Sequence, residues 1–316
     1  MSSSSCKACS DTSCSSKSRR PNESDEDFAR RQRLQANLCQ IKHVFFVLSG
    51  KGGVGKSTVA ANLALTLGMN GFHVGLLDID FHGPSIPTIL GLTDAQTRTV
   101  DGLIEPVTLS SMVTVMSIAF LLRGTDDAVI WRGPMKAGVI RQLLADVAWG
   151  PLDALVVDCP PGTGDEPLSI VQEVGRADGA IIVTTPQQVA VADVRRSINF
   201  CHKLDLHVFG VIENMAGFIC PHCNKTTDIF RTGGGEAMAA DMGVPYLGRI
   251  PIDPEMVSTG DQGLPYVQKF AERPAAKAFF HAVEPLIKMM QRSQETGTAE
   301  VDGGSDPKGK GAGRKR

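Results

Sequence analysis

One short segment constrains the fold of this chain more than any other feature. Residues 50–58 read Gly-Lys-Gly-Gly-Val-Gly-Lys-Ser-Thr, after an apolar run at 43–49 and before a segment with helical spacing at 56–69. A strand that passes through a glycine-rich loop into a helix is the context in which G-x-x-x-x-G-K-[ST] predicts a phosphate-binding loop. The flanking elements disfavour the alternative, a glycine-rich turn that matches the pattern by chance. The sequence therefore predicts a nucleotide-phosphate site here.

Each type of residue in this loop has a physical role. The glycines let successive backbone N–H groups turn toward one anion, and the following helix adds the positive end of its dipole. Lys56 is expected to reach the β- and γ-phosphates, and the Ser57 hydroxyl is expected to ligate Mg²⁺. The candidate nucleotide-binding residues of the loop are Gly50, Lys51, Gly52, Gly53, Val54, Gly55, Lys56, Ser57 and Thr58.

Between the two ends of the chain, the hydrophobic pattern alternates between two kinds of segment. Short aliphatic and β-branched runs predict strands at 43–49, 73–79, 113–118, 154–158, 180–184, 207–212 and 246–250. Helical spacing predicts helices at 56–69, 135–147, 189–203, 234–242 and 274–290. Strands that are apolar throughout and separated by helices indicate a parallel sheet covered on both faces. We therefore expect one α/β domain at 38–292, a P-loop NTPase, although a length of 316 residues by itself suggests two domains.

Both ends of the chain differ in composition from this domain. Residues 1–37 are rich in serine and charge with almost no apolar pattern before Leu34, and residues 293–316 are rich in glycine, serine and charge. Such segments bury too little apolar surface to offset the entropy that is lost on ordering. We therefore expect both to be disordered tails.

Charge and hydropathy exclude several classes of partner. The formal net charge is −2 and aromatic residues make up 5% of the chain, which argues against a nucleic-acid surface. No apolar run approaches the roughly 20 residues of a membrane-spanning helix, and the polar start leads into no hydrophobic segment. We expect a cytoplasmic protein that binds neither nucleic acid nor membrane. Its eight cysteines are then expected as metal ligands, reactive thiols or core residues.

Acidic residues follow two of the predicted strands. Asp80 follows the second strand, and Asp158 ends the apolar run at 154–158 just before a loop rich in glycine and proline. Asp158 is placed to hold Mg²⁺, and residues 162–165 are placed to sense the γ-phosphate. A strand-end aspartate is by itself more often a cap or a turn residue. The order of these elements after the glycine-rich loop favours the functional interpretation.

A second motif, Cys220-Pro-His-Cys223, follows the predicted strand at 207–212 and a linker at 213–219. Two thiolates separated by two residues can bind one metal centre, but Zn²⁺ and a [4Fe–4S] cluster both take four ligands. A two-fold dimer would bring two such pairs together and complete the set. A redox dithiol, a structural zinc site and two unconnected thiols remain alternatives. His222 is expected to face solvent.

The combination of these motifs resembles a known class of dimeric ATPases. The loop with Lys51 is similar to the deviant Walker A motif of the MinD, ParA and nitrogenase-iron-protein class. Together with residues 80–85, 158–165 and 213–215, it resembles the Mrp/ApbC/Nbp branch, whose members are iron–sulfur cluster carriers or scaffolds. The resemblance covers roughly residues 40–290. It implies an ATP-hydrolysing homodimer that binds a [4Fe–4S] cluster between subunits and transfers it to apoproteins.

Three residues are candidates for catalysis, Lys51 and Asp80 from the resemblance and Lys56 from the chemistry of phosphoryl transfer. Lys51 would reach across the dimer interface to the ATP of the other subunit, and Lys56 would neutralise developing charge in the same reaction. Asp80 would orient the attacking water. Asp78 competes for that role because it lies two residues away on the same side of an extended strand. Asp80 is preferred since it begins the loop.

Binding roles follow from the same resemblance. Asn214 and the segment Pro251-Ile252-Asp253 would contact adenine, and Cys220 and Cys223 would ligate the bridging cluster. The alternative function is that of a MinD- or ParA-like positioning ATPase with a structural zinc or no metal. Against it, the C-terminal tail lacks the apolar face of a membrane-binding helix.

The remaining cysteines have no agreed role. Nbp-type members carry a four-cysteine motif near the N-terminus, whereas this chain has three there, Cys6, Cys9 and Cys14. An incomplete or externally completed site, donation of these thiols to the late pair, and a tail without metal all remain open. Cys159 and Cys201 lie in apolar surroundings and are expected in the core.

Overall fold

Strands and helices alternate along the part of the chain that this computed structural model describes, residues 18–122, 132–220, 222–223 and 225–302, except the side chains of 188 and 296–302. The strands are β1 (Ile41–Ser49), β2 (Val74–Asp78), β3 (Thr99–Val100), β4 (Leu103–Ile104), β5 (Val107–Thr108), β6 (Val113–Ser117), β7 (Leu152–Asp158), β8 (Gly179–Thr184), β9 (Val208–Ile219), β10 (Thr226–Thr227) and β11 (Tyr246–Ile252). The helices are α1 (Asp25–Leu38), α2 (Lys56–Met69), α3 (Ile86–Ile89), α4 (Gly133–Ala145), α5 (Asp165–Val174), α6 (Gln188–Lys203), α7 (Gly234–Asp241), α8 (Pro254–Asp261), α9 (Tyr266–Lys269) and α10 (Pro274–Asp302). A short 3₁₀ helix covers Ile118–Leu121.

Nine of the described strands form one sheet in the order β10-β9-β8-β1-β7-β2-β6-β5, with β11 also paired to β9. The pairs from β9 through β6 are parallel, as is β11 with β9, whereas β5 and β10 run antiparallel to their neighbours. Parallel neighbours need long crossover connections, which the intervening helices supply. The predicted α/β class with a mostly parallel sheet is confirmed.

Helices cover both faces of the sheet. Phe46 and Leu48 of β1 belong to one apolar cluster, which includes residues of α4, α5 and α6. Phe45 and Val47 belong to a second cluster, which includes residues of α2 and α10. Because successive strand residues point to opposite faces, the two clusters lie on the two sides of the sheet.

The carboxyl ends of the central strands meet at one edge of the sheet. The register places Asp158 beside Val47 of β1 and beside Asp78 of β2. Residues 50–55 leave β1 at this same edge and lead into α2. Ligands of open parallel α/β sheets bind at the carboxyl ends of the strands. The fold therefore gathers the predicted phosphate and magnesium residues in one place.

Helix α1 corrects the predicted tail at residues 1–37. Ser24 accepts a hydrogen bond from the backbone N–H of Asp27, which caps the helix, and Leu34 is buried. The amide of Asn37 donates to the carbonyls of Leu144 and Val147, both at 2.9 Å. These contacts with distant residues order a segment whose own apolar content is too low to predict it. Residues 1–17, with Cys6, Cys9 and Cys14, lie outside the described residues.

Helix α10 likewise runs past residue 292, where the sequence predicts the start of the second tail. Ser293 donates from its hydroxyl to the carbonyl of Met289 at 3.3 Å, and Gln294 contacts Asp153 at 3.4 Å. Good helix formers such as Gln, Arg and Glu extend the helix after its apolar face has ended. Although α10 has 29 residues, none of the described helices is long and apolar enough to span a bilayer. The remainder of this tail prediction, residues 303–316, lies outside the described residues.

Strand β9 is longer than predicted. The predicted linker at 213–219 is its second half, which pairs with β11 as far as Phe218 and with β10 at Ile219. Glu213, Asn214 and Gly217 are poor strand formers, so the local pattern gave no sign of this extension. Pairing with strands that lie later in the chain determines it.

Candidate functional site

The glycine-rich loop forms an uncapped helix start at the edge of the sheet. Gly55 is the N-cap residue of α2 and has a left-handed backbone with φ of 79°, which favours glycine. A Cβ atom at Gly55 would also overlap the side-chain amide of Asn214. No side chain caps α2, so its first backbone N–H groups are available to an anion.

Lys56 is the centre of the charges at this edge. It is 6% exposed, and its Nζ lies 2.6 Å from Oδ1 of Asp158 and 3.8 Å from Oδ2 of Asp80. Burial lowers the pKa of Lys56, but the charge and hydrogen bond of Asp158 more than offset this effect, so that the net pKa is raised. Lys56 is therefore a fixed cation at the start of α2.

Asp158 and Ser57 supply oxygen atoms beside this lysine. Asp158 is completely buried, and among the described residues its Oδ2 atom has no hydrogen-bond partner. Burial raises the pKa of Asp158, against the opposing effects of Lys56 and the Ser57 hydroxyl. A buried carboxylate oxygen without a partner needs an explanation, and a hard cation is one. The donor set fits Mg²⁺.

The two neighbouring aspartates have different environments. Asp78 is completely buried, where it accepts hydrogen bonds from the Ser117 hydroxyl at 2.9 Å and from the backbone N–H of Asp80 at 3.0 Å. Burial and the charge of Asp158 raise the pKa of Asp78 to about 8. Asp80 accepts from the backbone N–H groups of His82 and Gly83 with Oδ1, which leaves Oδ2 on the side of Lys56. The structure thus places Asp80 in the charged site. The carboxylate of Asp78 is already occupied by hydrogen bonds from Ser117 and from the backbone of Asp80.

Lys51 lies apart from these charges. It is half-buried, and its Nζ donates to Oε1 of Gln187 at 3.3 Å. That distance is at the weak end of the hydrogen-bond range, so this contact is easily exchanged for another.

Asn214 of β9 lies opposite Ile250 of β11, the residue before Pro251. The Asn214 amide donates to the carbonyl of Val54 at 2.9 Å, which joins β9 to the loop. Pro251 and Asp253 line a cavity of about 480 Å³ that also touches Ile219, the last residue of β9.

The carboxylate of Asp253 is occupied by protein groups. It accepts two bonds from Arg273, at 2.6 and 2.8 Å, and one from the Tyr266 hydroxyl at 2.6 Å. It also accepts from the backbone N–H of Glu255 and so caps α8. Burial raises the pKa of Asp253, but these bonds outweigh it and the pKa is lowered. Asp253 stiffens the cavity wall, and its carboxylate has little capacity left for an adenine contact.

Cys220 and Cys223 lie in the turn between β9 and β10. The backbone N–H of Cys220 donates to the carbonyl of Lys225 at 3.0 Å, which closes the turn. Backbone N–H groups of His222 and Cys223, together with the Cys223 thiol, donate to Cys220 and lower its pKa. Cys220 is half-buried, and Cys223 and His222 are exposed. We call residues 220–223 the thiol turn.

The thiol turn offers two candidate thiol ligands. Within the described residues, no three His, Cys, Asp or Glu side chains converge on a point where they could hold a metal. Cys159 and Cys201 are completely buried in the core, as predicted, and burial raises the pKa of both thiols. Cys39 is exposed elsewhere on the surface.

Sequence reasoning did not identify Lys136 and Glu166. They form an ion pair of 2.5 Å beside the loop that carries Asp80, although they lie 30 positions apart in the chain. No local sequence motif predicts such a pair. The position of Glu166 directly after the loop at 162–165 was the only available signal.

Comparison with known proteins agrees with this geometry. A family model of the ParA type, described as NUBPL iron-transfer P-loop NTPase, matches residues 40–287. The iron-sulfur cluster carrier protein of Methanocaldococcus jannaschii is 46% identical over 263 residues, 83% of this chain and 90% of that protein. Cytosolic Fe-S cluster assembly factor CFD1 of Saccharomyces cerevisiae is 45% identical over 278 residues, 86% of this chain and 94% of that protein.

Solved structures agree as well. The nucleotide-binding protein of Archaeoglobus fulgidus in complex with ADP has a TM-score of 0.69 and 39% identity, over 79% of this chain and 96% of that one. The cell division ATPase MinD of Pyrococcus furiosus has a TM-score of 0.58 and 26% identity, over 78% of this chain and 99% of that one. The family match and these identities establish that the chain belongs to the ParA-type family of iron-transfer P-loop NTPases.

Proposed function

We propose that this chain is an ATP-hydrolysing iron–sulfur cluster carrier that holds its cargo between two copies and transfers it to apoproteins. One observation carries the proposal: a single strand joins the two chemically distinct sites. Asn214 in β9 contacts the phosphate loop, and Cys220 follows directly after the last residue of β9. A nucleotide-site contact on β9 and a thiol pair just beyond the end of the same strand suit a carrier whose cargo site responds to ATP.

ATP binding changes the groups that the Lys56 ammonium contacts. The lysine leaves Asp158 for the β- and γ-phosphates, which also bind the open N-terminus of α2. Asp158 and Ser57 would hold Mg²⁺, because the buried Oδ2 atom, which has no partner among the described residues, and the adjacent hydroxyl are the hard oxygen donors that this ion prefers. When bound, the ion neutralises charge on the phosphates.

We assign orientation of the attacking water to Asp80. Its Oδ2 atom faces Lys56 at 3.8 Å, whereas Asp78 is held in the sheet by Ser117. Lys51 reaches the partner copy's ATP when two copies face each other, and the weak bond to Gln187 costs little to break. Asn214 and Pro251 border adenine, and Asp253 supports that wall through Arg273.

The cargo is a [4Fe–4S] cluster bound by Cys220 and Cys223 of both copies. Such a cluster takes four thiolates, and one thiol turn supplies two. The hydrogen bonds that lower the pKa of Cys220 favour the thiolate, which is the metal-binding form of the side chain. A two-fold axis that passes between two thiol turns completes the ligand set.

The names of the relatives support delivery to apoproteins in the cytoplasm. The protein from M. jannaschii is named an iron-sulfur cluster carrier, and CFD1 is named a cytosolic assembly factor. We infer the same role and compartment for this chain.

The decisive experiment is metal and sulfide analysis after anaerobic reconstitution with iron and sulfide. We expect about four iron and four sulfide ions per two chains at the thiol turns. The double variant Cys220→Ser and Cys223→Ser should lose them, while the exposed control Cys39→Ser should keep them. Iron that stays bound in the double variant would refute the assignment of the cargo site.

The same measurement separates the second candidate function. A positioning ATPase with a structural zinc would contain zinc in place of iron and sulfide, and one without metal would contain neither. The similarity to MinD gives this candidate its fold. A positioning ATPase explains neither the thiol turn nor the match to an iron-transfer family.

A further inference from the structure

Lys136, in the first turn of α4, bridges two loops at the nucleotide edge of the sheet. Its Nζ lies 2.5 Å from Oε1 of Glu166 and donates to Nε2 of His82 at 3.0 Å. It also lies 5.9 Å from the centre of the Phe81 ring, within the range of a cation–π contact. His82 and Phe81 belong to the loop after β2, and Glu166 belongs to the first turn of α5 after β7.

Both loops border the charges of the phosphate site. The loop after β2 carries Asp80, whose Oδ1 accepts the backbone N–H of His82 at 3.2 Å. Glu166 lies next to residues 162–165, the segment expected to sense the γ-phosphate. A shift of His82 would therefore be transmitted to Asp80, and a shift of Glu166 to that segment.

The ion pair is protected from solvent, unlike most surface pairs. Lys136 is 13% exposed and Glu166 is 12% exposed. Screening by water is weaker at such burial, so the pair restrains both ends more firmly than an exposed pair would.

We propose that Lys136 is a positioning residue for ATP hydrolysis, which holds the Asp80 loop and the start of α5 at a fixed spacing. This inference rests on the proposed function, because it requires hydrolysis at the phosphate loop. Lys136 acts through His82 and Glu166, and it contacts none of the residues assigned to the phosphates.

The chain offers a matched control on the same two helices. Arg141 of α4 pairs with Glu173 of α5 at 2.5 Å, farther along both helices than Lys136 and Glu166. This second pair joins α4 to α5 without touching either loop. Arg141 is more exposed than Lys136, 42% against 13%, so Arg141→Ala controls for the loss of one charge pair between α4 and α5 and not for burial.

The test compares Lys136→Ala with Lys136→Arg and Arg141→Ala. We expect Lys136→Ala to lower kcat for ATP about tenfold while the Kd for ADP changes less than about twofold, since ground-state binding is preserved. Lys136→Arg, which keeps the charge, should recover most of the rate, and Arg141→Ala should stay within about twofold of the wild type. A kcat for Lys136→Ala within twofold of the wild type, or an equal loss in Arg141→Ala, overturns the inference.

A second variant protects the test against misfolding of Lys136→Ala. His82 is 69% exposed, so His82→Ala removes the bridge at little cost to folding. We expect a two- to fivefold fall in kcat with an unchanged thermal midpoint. An unchanged kcat in His82→Ala contradicts the inference. A wild type that hydrolyses no ATP would instead overturn the proposed function, and the inference with it.

Discussion

The phosphate edge of the sheet and the thiol turn differ in the burial and pairing of their functional side chains. At the edge, Lys56 and Asp158 are buried and paired inside one chain before any nucleotide arrives. At the thiol turn, Cys220 accepts hydrogen bonds from backbone N–H groups and from the Cys223 thiol, and Cys223 is exposed. The turn contains two thiols, whereas a [4Fe–4S] cluster takes four. The buried charges of the first region are thus already paired within a single chain, whereas in the proposed function the second region obtains its full ligand set only with a second copy.

This difference separates two kinds of mutational effect. A change at the phosphate edge disturbs a buried network, so it should alter both chemistry and folding. A change in the thiol turn removes a ligand from an exposed segment, so it should alter cargo binding alone. Four variants test this separation.

Lys56→Ala should have the largest effect, because it removes the phosphate cation and leaves Asp158 buried without its partner. We expect ATP hydrolysis to fall at least about 10²–10³-fold. The free energy of unfolding should fall by about 3–5 kcal/mol in urea titrations. The control Lys42→Ala, whose pair with Asp153 is exposed on the lysine side, should cost less than about 1 kcal/mol. Equal losses of stability in the two variants would contradict the proposed difference between the buried pair and the exposed one.

Cys223→Ser should abolish cluster binding and leave the nucleotide site intact. Iron and sulfide should be lost after anaerobic reconstitution, while kcat for ATP in the apoprotein stays within about twofold and the free energy of unfolding within about 0.5 kcal/mol. A large loss of stability would show that the thiol turn is part of the folded framework and not an exposed attachment.

Asn214→Ala tests the contact between β9 and the phosphate loop. Loss of the amide donor to Val54 should weaken ADP binding about five- to tenfold, which corresponds to about 1–1.4 kcal/mol by calorimetry. Asn70→Ala is the control, because Asn70 makes the same type of bond to the Thr66 carbonyl at the other end of α2. ADP affinity that falls equally in both variants would indicate a general weakening of α2.

Asp253→Asn should have the smallest effect, and one that depends on pH. The pKa of Asp253 is lowered in the folded protein, so its ionised form contributes stability above its ordinary pKa of about 4 and loses it as pH falls through the lowered value. Because Arg273 is 37% exposed and solvent screens the pair, we expect the free energy of unfolding at pH 7 to be only about 0.5–1 kcal/mol lower in the variant. The difference should shrink toward pH 3. A difference that is constant with pH would mean that the charge of Asp253 plays no part.

The sequence was sufficient where the determinants are local. The bounds of Lys56–Met69 were predicted correctly, because a glycine pattern, a strand and an apolar helical segment lie next to one another in the sequence. The choice of Asp80 over Asp78 rested on loop position, and the structure adds a physical reason, the Ser117 bond that occupies Asp78.

The parts that could not be predicted depend on distant partners. The second half of β9 is a strand because β11 pairs with it, and α1 is ordered partly by carbonyls at the end of α4. The bridge at Lys136 joins segments 30 and 54 positions away. A hydrophobic or motif pattern along the sequence contains no signal for such contacts between distant residues.

Native mass spectrometry of anaerobically reconstituted protein tests whether a pair of copies holds one cluster on two thiol turns. The species with bound iron and sulfide should have the mass of two chains plus one [4Fe–4S] cluster, and Cys223→Ser should abolish this species. A cluster found on a single chain, or retained by two chains of Cys223→Ser, would contradict this prediction.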